Sequence, residues 1–250
     1  MKTCTVECWF GTVLQEAGRM AMSAWGAPTG LERTAEQLYE GVSTREGLAA
    51  ADIAIDRLIA GVPLDPGELR APCAPGAHAP TPTPYFIARD LYAKMDLDGS
   101  SHVLDVGCGM GRMLACHAAM RLPGRVTGVE LDAELAARAA AWTRAHDGLA
   151  VVSGSALDMP LSSYTHFYLF NPFDSAVLAR FLDTLEREAG ASVLLVHMSD
   201  NGENYAYLGR PGWKLREEGF FHEFCEGRRR SFEVYGCPQH YSIWKLERAR

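Results

Sequence analysis

The residues best placed to do chemistry lie in one run, Val103-Leu-Asp-Val-Gly-Cys-Gly-Met-Gly-Arg112. An apolar stretch leads into glycines at 107, 109 and 111 and then into a helix-favouring segment. A strand that turns into a helix through glycines lets a ligand approach the backbone, because no Cβ intervenes and the helix start offers free amide donors. Asp105 stands before the first glycine, and Glu130 closes the next apolar run 25 residues further on. At the end of the second strand of an open α/β sheet, a carboxylate is placed to accept from ribose hydroxyls. A dinucleotide fits this loop poorly: the third glycine comes too early for Gly-x-Gly-x-x-Gly, and Asp105 would face a pyrophosphate. A ligand with a cationic sulfonium and an amino group suits the carboxylate better. The competing structural reading is a tight turn whose glycines serve packing alone.

A second candidate run is Phe167-Tyr-Leu-Phe-Asn-Pro-Phe173, which ends a buried strand with the amide side chain of Asn171. Asn171 either takes part in chemistry or caps the following helix, a role that asparagine favours. His197, His166, His222, His240 and Tyr85 are the available titratable groups, and His197, at the end of a strand, is the best placed of them. Asn171, His197 and Tyr85 are the catalytic candidates. Asp174, Asp200 and Glu203 are isolated acids on separate loops, so no metal site is predicted, because hard cations need several convergent oxygens. Cys108 reads as a small packing residue rather than a nucleophile, since nothing near it in sequence would lower its pKa.

These residues need a framework of strands and helices. Residues 1–62 show helical spacing, with Leu48, Ala51, Ile55, Leu58 and Ile59 on one face, and predict a helical region. Its aromatics Trp9, Phe10, Trp25 and Tyr39 would either cover a pocket as a lid or pack as core. Residues 63–84 carry seven prolines and predict a linker. From residue 85 to 250, apolar runs alternate with amphipathic helices, the pattern of β-α units. A helix near 85–96 precedes strands 103–106, 125–130, 149–152, 167–170 and 192–197, with helices 112–120, 133–145 and 175–188 between them. Residues 213–218 read as a short helix, and 231–235 and 241–246 as a closing antiparallel pair around 236–240. The fold class is α/β, a seven-stranded mostly parallel sheet with helices on both faces and an N-terminal helical extension.

The 250-residue chain is 48% hydrophobic and 22% charged, enough for one full-sized domain with an appendage. Charges break its apolar stretches well short of the ~20 residues that span a bilayer. Glu7 and Glu16 interrupt the one segment that resembles a signal-peptide core. The seven cysteines are scattered without a Cys-x-x-Cys pair, against both a disulfide framework and a zinc site. A soluble, cytoplasmic protein with no membrane association is expected. The net charge of −7, with one short basic cluster at Arg228–Arg230, makes a nucleic-acid partner unexpected.

From Tyr85 to Leu246 the chain resembles the class I S-adenosylmethionine-dependent methyltransferases, which have a Rossmann-like fold. Asp105-Val-Gly-Cys-Gly-Met-Gly111 is similar to their first motif. The resemblance implies that Asp105 contacts the methionine end of the cofactor and that Gly107, Cys108, Gly109 and Gly111 form the loop around it. Val126-Thr-Gly-Val-Glu-Leu131 is similar to the second motif, which implies ribose binding by Glu130 and adenine packing by Leu131. Gly154-Ser-Ala-Leu-Asp158 lies where many members have Gly-Asp-Ala, implying adenine contacts from Ser155 and Ala156, with either Ser155 replacing the usual acid or Asp158 reaching back to do so. Asn171 would adjoin the cofactor's reactive end.

The wider pattern, including Phe-Asn-Pro-Phe, resembles a broad bacterial group described as similar to non-SET histone lysine methyltransferases. Asn171-Pro-Phe-Asp174 lacks the second proline of the Asn-Pro-Pro-Tyr motif, so nucleobase or glutamine specificity does not carry over. The resemblance implies in-line methyl transfer; the acidic net charge and the N-terminal helical region, as a lid, favour a small-molecule acceptor methylated at nitrogen or oxygen. Methylation of a protein side-chain nitrogen and a catalytically silent, cofactor-binding regulatory subunit are the alternatives.

Overall fold

The computed structural model describes residues 37–67, 71–199, 206–225 and 232–248. Trp9, Phe10, Trp25, Asp200, Glu203 and the Arg228–Arg230 cluster lie outside the described residues. Helices α1 (Arg45–Ala60) and α2 (Tyr85–Ala93) come first. Strand β1 (His102–Val106), α3 (Arg112–Ala119), β2 (Arg125–Glu130), α4 (Ala133–Thr143), β3 (Leu149–Ser153), β4 (His166–Phe170), α5 (Ser175–Glu188) and β5 (Val193–Met198) follow in alternation. The last strands are β6 (Trp213–Phe221), β7 (Glu223–Phe224), β8 (Phe232–Glu233) and β9 (Gln239–Leu246).

Seven strands form one sheet in the order β3-β2-β1-β4-β5-β9-β6. The first five pair in parallel, and β9 inserts antiparallel between β5 and β6. The fold is thus the expected Rossmann-like α/β sheet. Strand alternation separates two cores. Val103, Val126, Tyr168 and Val196 face α1 to α4, while Leu104, Val129, Phe167 and Leu195 face α5. The order reverses between β1 and β4, and ligands of open α/β sheets bind beyond the carboxyl ends of the strands at such a switch point. Among the described residues no helix is long and apolar enough to cross a membrane.

Local chemistry fixes the helix starts. Thr44 caps α1 by accepting from the Gly47 N–H at 3.1 Å, and Asp132 caps α4 by accepting from Glu134 and Leu135. Asp174, not Asn171, caps α5, with its carboxylate accepting from the Val177 N–H at 2.9 Å.

Two expectations are corrected. Residues 213–218 are not a helix but part of β6, which pairs with β9 from Trp213↔Leu246 to Phe221↔Gln239 with an irregularity at Leu215/Glu217. Helix-favouring Lys, Arg and Glu fill that run, yet an edge strand accepts charges on its solvent face, and cross-strand pairing outweighs local propensity. The closing pair is also different: Phe232–Glu233 pairs with Glu223–Phe224, and β9 pairs with β5 and β6. Gln239 and His240 already belong to β9, so 236–240 is not a hairpin loop.

Candidate active site

At the end of β1 the chain turns through Gly107 (φ 74°), Gly109 (φ 55°) and Gly111 (φ 90°) into α3, which has no side-chain cap. The Gly107 and Cys108 amides donate to the Val129 carbonyl at 2.9 and 3.1 Å, tying the loop to β2. A Cβ on Gly107 would lie 2.9 Å from Pro172 Cβ, whereas one on Gly109 would meet nothing within 4 Å. The loop is therefore packed against the β4–α5 connection at Gly107 and open at Gly109. Cys108 is buried with its sulfur beneath Gly128, where a Cβ would approach it to 2.5 Å, and burial pushes its thiol pKa well up. Packing describes its role.

Asp105 lies on the face of β1 turned toward this loop and is 3% exposed. Among the described residues its carboxylate receives no hydrogen bond. Burial, then the neighbouring Glu130 charge, pushes its pKa from 3.8 up to about 8. Glu130, also buried, accepts from the Gly109 N–H at 2.7 Å through one oxygen and from the Asp132 N–H at 2.9 Å through the other. Because a carboxylate offers about four lone-pair sites, it can still accept from a ligand.

Across this loop runs the proline-rich segment. The Gly76 carbonyl accepts from the Asp174 N–H at 2.8 Å, and the His78 N–H donates to the Pro172 carbonyl at 3.0 Å. The His78 ring nitrogen lies 2.9 Å from the Asn171 carbonyl, and the Thr83 and Tyr168 hydroxyls are 2.7 Å apart. Ala77 bridges to Phe173. Leu64, Pro66 and Pro80–Thr83 thereby form one wall of a cleft whose other wall includes Asp105, Gly107–Met110, Arg112, Tyr168 and Phe170. The cavity in this partly open cleft is about 30 Å³, room for about two water molecules.

The remaining sequence-predicted residues are spread more widely. Leu131 is 41% exposed beside Glu130. Ser155 accepts from the Leu157 N–H at 3.2 Å to open a short 3-10 turn that contains Ala156. Asp158 is exposed on that turn. Asn171 adopts a left-handed φ of 40° at the end of β4, one of four described non-glycine residues with positive φ; such backbone strain tends to be kept where surrounding structure imposes it.

His197 is buried on the opposite face of the sheet from Asp105, with its Nδ1 2.9 Å from the Tyr207 hydroxyl. The sheet itself separates it from the cleft. His166 bonds to Thr165 and the Met95 carbonyl, His222 pairs with Glu233 and His240 with Glu218, all away from the loop. Among the described residues no group of three His, Cys, Asp or Glu side chains is arranged to hold a metal ion.

Tyr85 belongs to a buried polar network that sequence reading did not assemble. Its hydroxyl donates to Asp56 at 2.8 Å. Arg112, the residue after the glycine loop, donates to both Asp56 oxygens at 3.1 and 2.8 Å and lies 3.6 Å from Asp52. Tyr39 donates to Asp52. The available signal was the spacing of Asp52 and Asp56 one helical turn apart, within the Leu48, Ala51, Ile55 stripe that faces the core.

Comparison with known proteins agrees with this geometry. Residues 103–190 match the family model described as a methyltransferase domain. No curated protein matches the chain. A putative RNA methyltransferase of Pyrococcus horikoshii is similar at 17% identity, over 73% of this chain and 95% of that one, with a TM-score of 0.50. A protein solved in work on conversion of a disulfide bond into a thioacetal group during echinomycin biosynthesis is similar at 14% identity, over 67% and 83%, with a TM-score of 0.50. An RNA methyltransferase from Salinibacter ruber in complex with S-adenosyl-L-homocysteine is similar at 16% identity, over 68% and 96%, with a TM-score of 0.49. At these identities the first two likenesses are of fold.

Proposed function

We propose that the chain is an S-adenosylmethionine-dependent methyltransferase that transfers the methyl group in line to nitrogen or oxygen of a small molecule. One observation carries the reading: Asp105, a buried carboxylate without a hydrogen-bond partner among the described residues, on the strand that enters an open glycine loop beside Glu130. A buried carboxyl that lacks a counter-charge marks a site for a cation, because pairing with one offsets the cost of ionising it there.

The donor set fits this cofactor. Asp105 would take the ammonium of the methionine end, Gly107 and Gly109 would let it approach the backbone, and Glu130 would accept from the ribose. Leu131, Ser155 and Ala156 lie on the adenine side of that arrangement. When bound, the cofactor supplies an electrophilic methyl on a sulfonium; the protein's work is to orient the acceptor and exclude water. Asn171 stands nearest to that task, at the end of β4 with Pro172 packed on the loop. His197 has no part in it, lying across the sheet. The unbridged thiols of Cys73, Cys108 and Cys237 suit a reducing, cytoplasmic setting.

The test combines calorimetric titration with S-adenosylmethionine and S-adenosylhomocysteine with transfer of isotopic methyl label to a cell extract separated by size. Binding with label in small molecules is expected. Absence of binding removes the whole reading, and label confined to protein or RNA removes the small-molecule acceptor.

A further inference from the structure

A second cavity lies at the opposite end of the sheet from the glycine loop, where the chain enters β4 and β5 at Thr165, His166, Val193 and Leu194. Its volume is about 480 Å³, within the roughly 300–1,000 Å³ of small-molecule sites. The apolar part of its lining, Met95, Val193 and Leu194, is buried, while Asp96, Ser192, Arg216 and Lys245 are exposed. An apolar floor thus carries a charged rim. His166, Leu194 and Lys245 are successive partners across β4, β5 and β9, so their side chains share one face of the sheet. The cofactor cleft is separate, since β4 reaches it only at Phe170, roughly 13 Å along the strand from His166.

Hydrogen bonding leaves one charge of this lining uncommitted. His166 contributes none: its Nε2 lies 2.9 Å from the Met95 carbonyl and its Nδ1 2.8 Å from the Thr165 hydroxyl, and burial holds its pKa below the ordinary 6.5. Arg216 Nη2 donates to Asp96 Oδ2 at 2.6 Å, which makes that pair neutral. Lys245 differs. Among the described residues the one acid within reach of its ammonium is Glu247, 3.9 Å away and beyond hydrogen-bonding range, and the other Glu247 oxygen holds Lys214 at 2.6 Å. The neighbouring acids are engaged too: Glu217 accepts from Lys94 at 2.6 Å and from Tyr241 at 3.0 Å, and Asp98 accepts from Ser100 and Ser101. Arg248, whose N–H donates to Ser192 Oγ at the rim, adds a cation. The charged lining is therefore two cations and one acid, in a chain whose net charge is −7. A local positive excess of this kind selects an anion.

We propose that this cavity is a second small-molecule site, which takes an organic anion with an apolar body. The body rests on Met95, Val193 and Leu194. The carboxylate or phosphate accepts from the Lys245 ammonium and from a guanidinium N–H of Arg216, which has five donors and gives one to Asp96.

The test is ligand-observed NMR on the full chain with 2-naphthoate and 2-naphthyl phosphate, against uncharged 2-naphthamide of the same shape. One or both anions should bind at least about tenfold more tightly than the amide, as a charge-assisted hydrogen bond requires. Which anion binds more tightly distinguishes a carboxylate site from a phosphate site. Lys245→Gln, at an exposed position, should keep the melting temperature, weaken the anion about tenfold and leave the amide unaffected. Arg138→Gln removes an equal charge from the surface of α4, outside the cavity, and should leave the anion unaffected. Excess S-adenosylhomocysteine should not displace the probe. Absence of anion binding, an amide that binds as tightly, equal losses in the two variants, or displacement by S-adenosylhomocysteine overturns the site.

Discussion

At the scale of single residues, Asp105 has the environment most at odds with its chemistry. Its carboxyl is held near 8 in the fold and at 3.8 when unperturbed. Between those values the folded chain keeps a proton that the unfolded chain has released. This group's contribution to stability is therefore full below about pH 4 and is lost as pH rises through about 8. Asp105→Asn, neutral throughout, should melt with the parent near pH 3.5 and at least about 2 °C higher near pH 9 in scanning calorimetry. The same substitution should weaken S-adenosylmethionine binding. In the parent, affinity should rise by up to about tenfold per pH unit below 8 and level off above it, with proton release seen as buffer-dependent binding enthalpy. A pH-independent affinity would separate Asp105 from the ammonium. Glu130→Ala removes both the proposed ribose acceptor and the anchor of the Gly109 amide, and should cost about 1.5–3 kcal/mol of cofactor binding by titration. Unchanged affinity in a folded variant would remove the ribose assignment.

Among the elements, the proline-rich segment is the one whose structure changes the functional picture. Composition alone reads as a linker, since prolines set φ and remove donors without saying where the chain docks. In the fold it is fastened to the β4–α5 connection by Gly76, Ala77 and His78 and to β4 by Thr83. With this segment in place the cleft holds about 30 Å³, far below the several hundred that a nucleoside-sized ligand occupies. Its displacement is therefore expected to accompany cofactor binding. Thr83→Val, which keeps the shape but removes the hydrogen bond to Tyr168, should speed cofactor association about fivefold, corresponding to a bond of about 1 kcal/mol. Stopped-flow fluorescence measures this, and an unchanged association rate would mean that the segment does not obstruct the cleft.

For the molecule as a whole, legibility followed the range of the interaction. Strands β1, β2, β4 and β5 are largely buried and read as apolar runs, as does the more exposed edge strand β3, and the Asp105–Gly111 loop joins strand to helix within one stretch of sequence. The edge strand β6 was hidden because its charged solvent face mimics a helix, and β9 was read as a strand but given the wrong partner, because its partners β5 and β6 lie far back in the sequence. The Asp56–Arg112 pair spans 56 residues, and no local pattern announces it. That pair joins helix α1 to the first turn of α3, so the N-terminal helix is bound to the glycine loop through charge as well as through Leu48 and Ile55. Removing one side of a buried ion pair leaves the other uncompensated. Arg112→Met should therefore destabilise the chain by about 3–5 kcal/mol, read as a fall in melting temperature of roughly 6–20 °C. Replacing Asp52 and Asp56 by Asn in the same chain should restore most of the loss, because no buried charge is then left unpaired. If the single substitution is harmless, the network does not hold α1 against the sheet, and if the triple is no better than the single, packing rather than charge explains the damage.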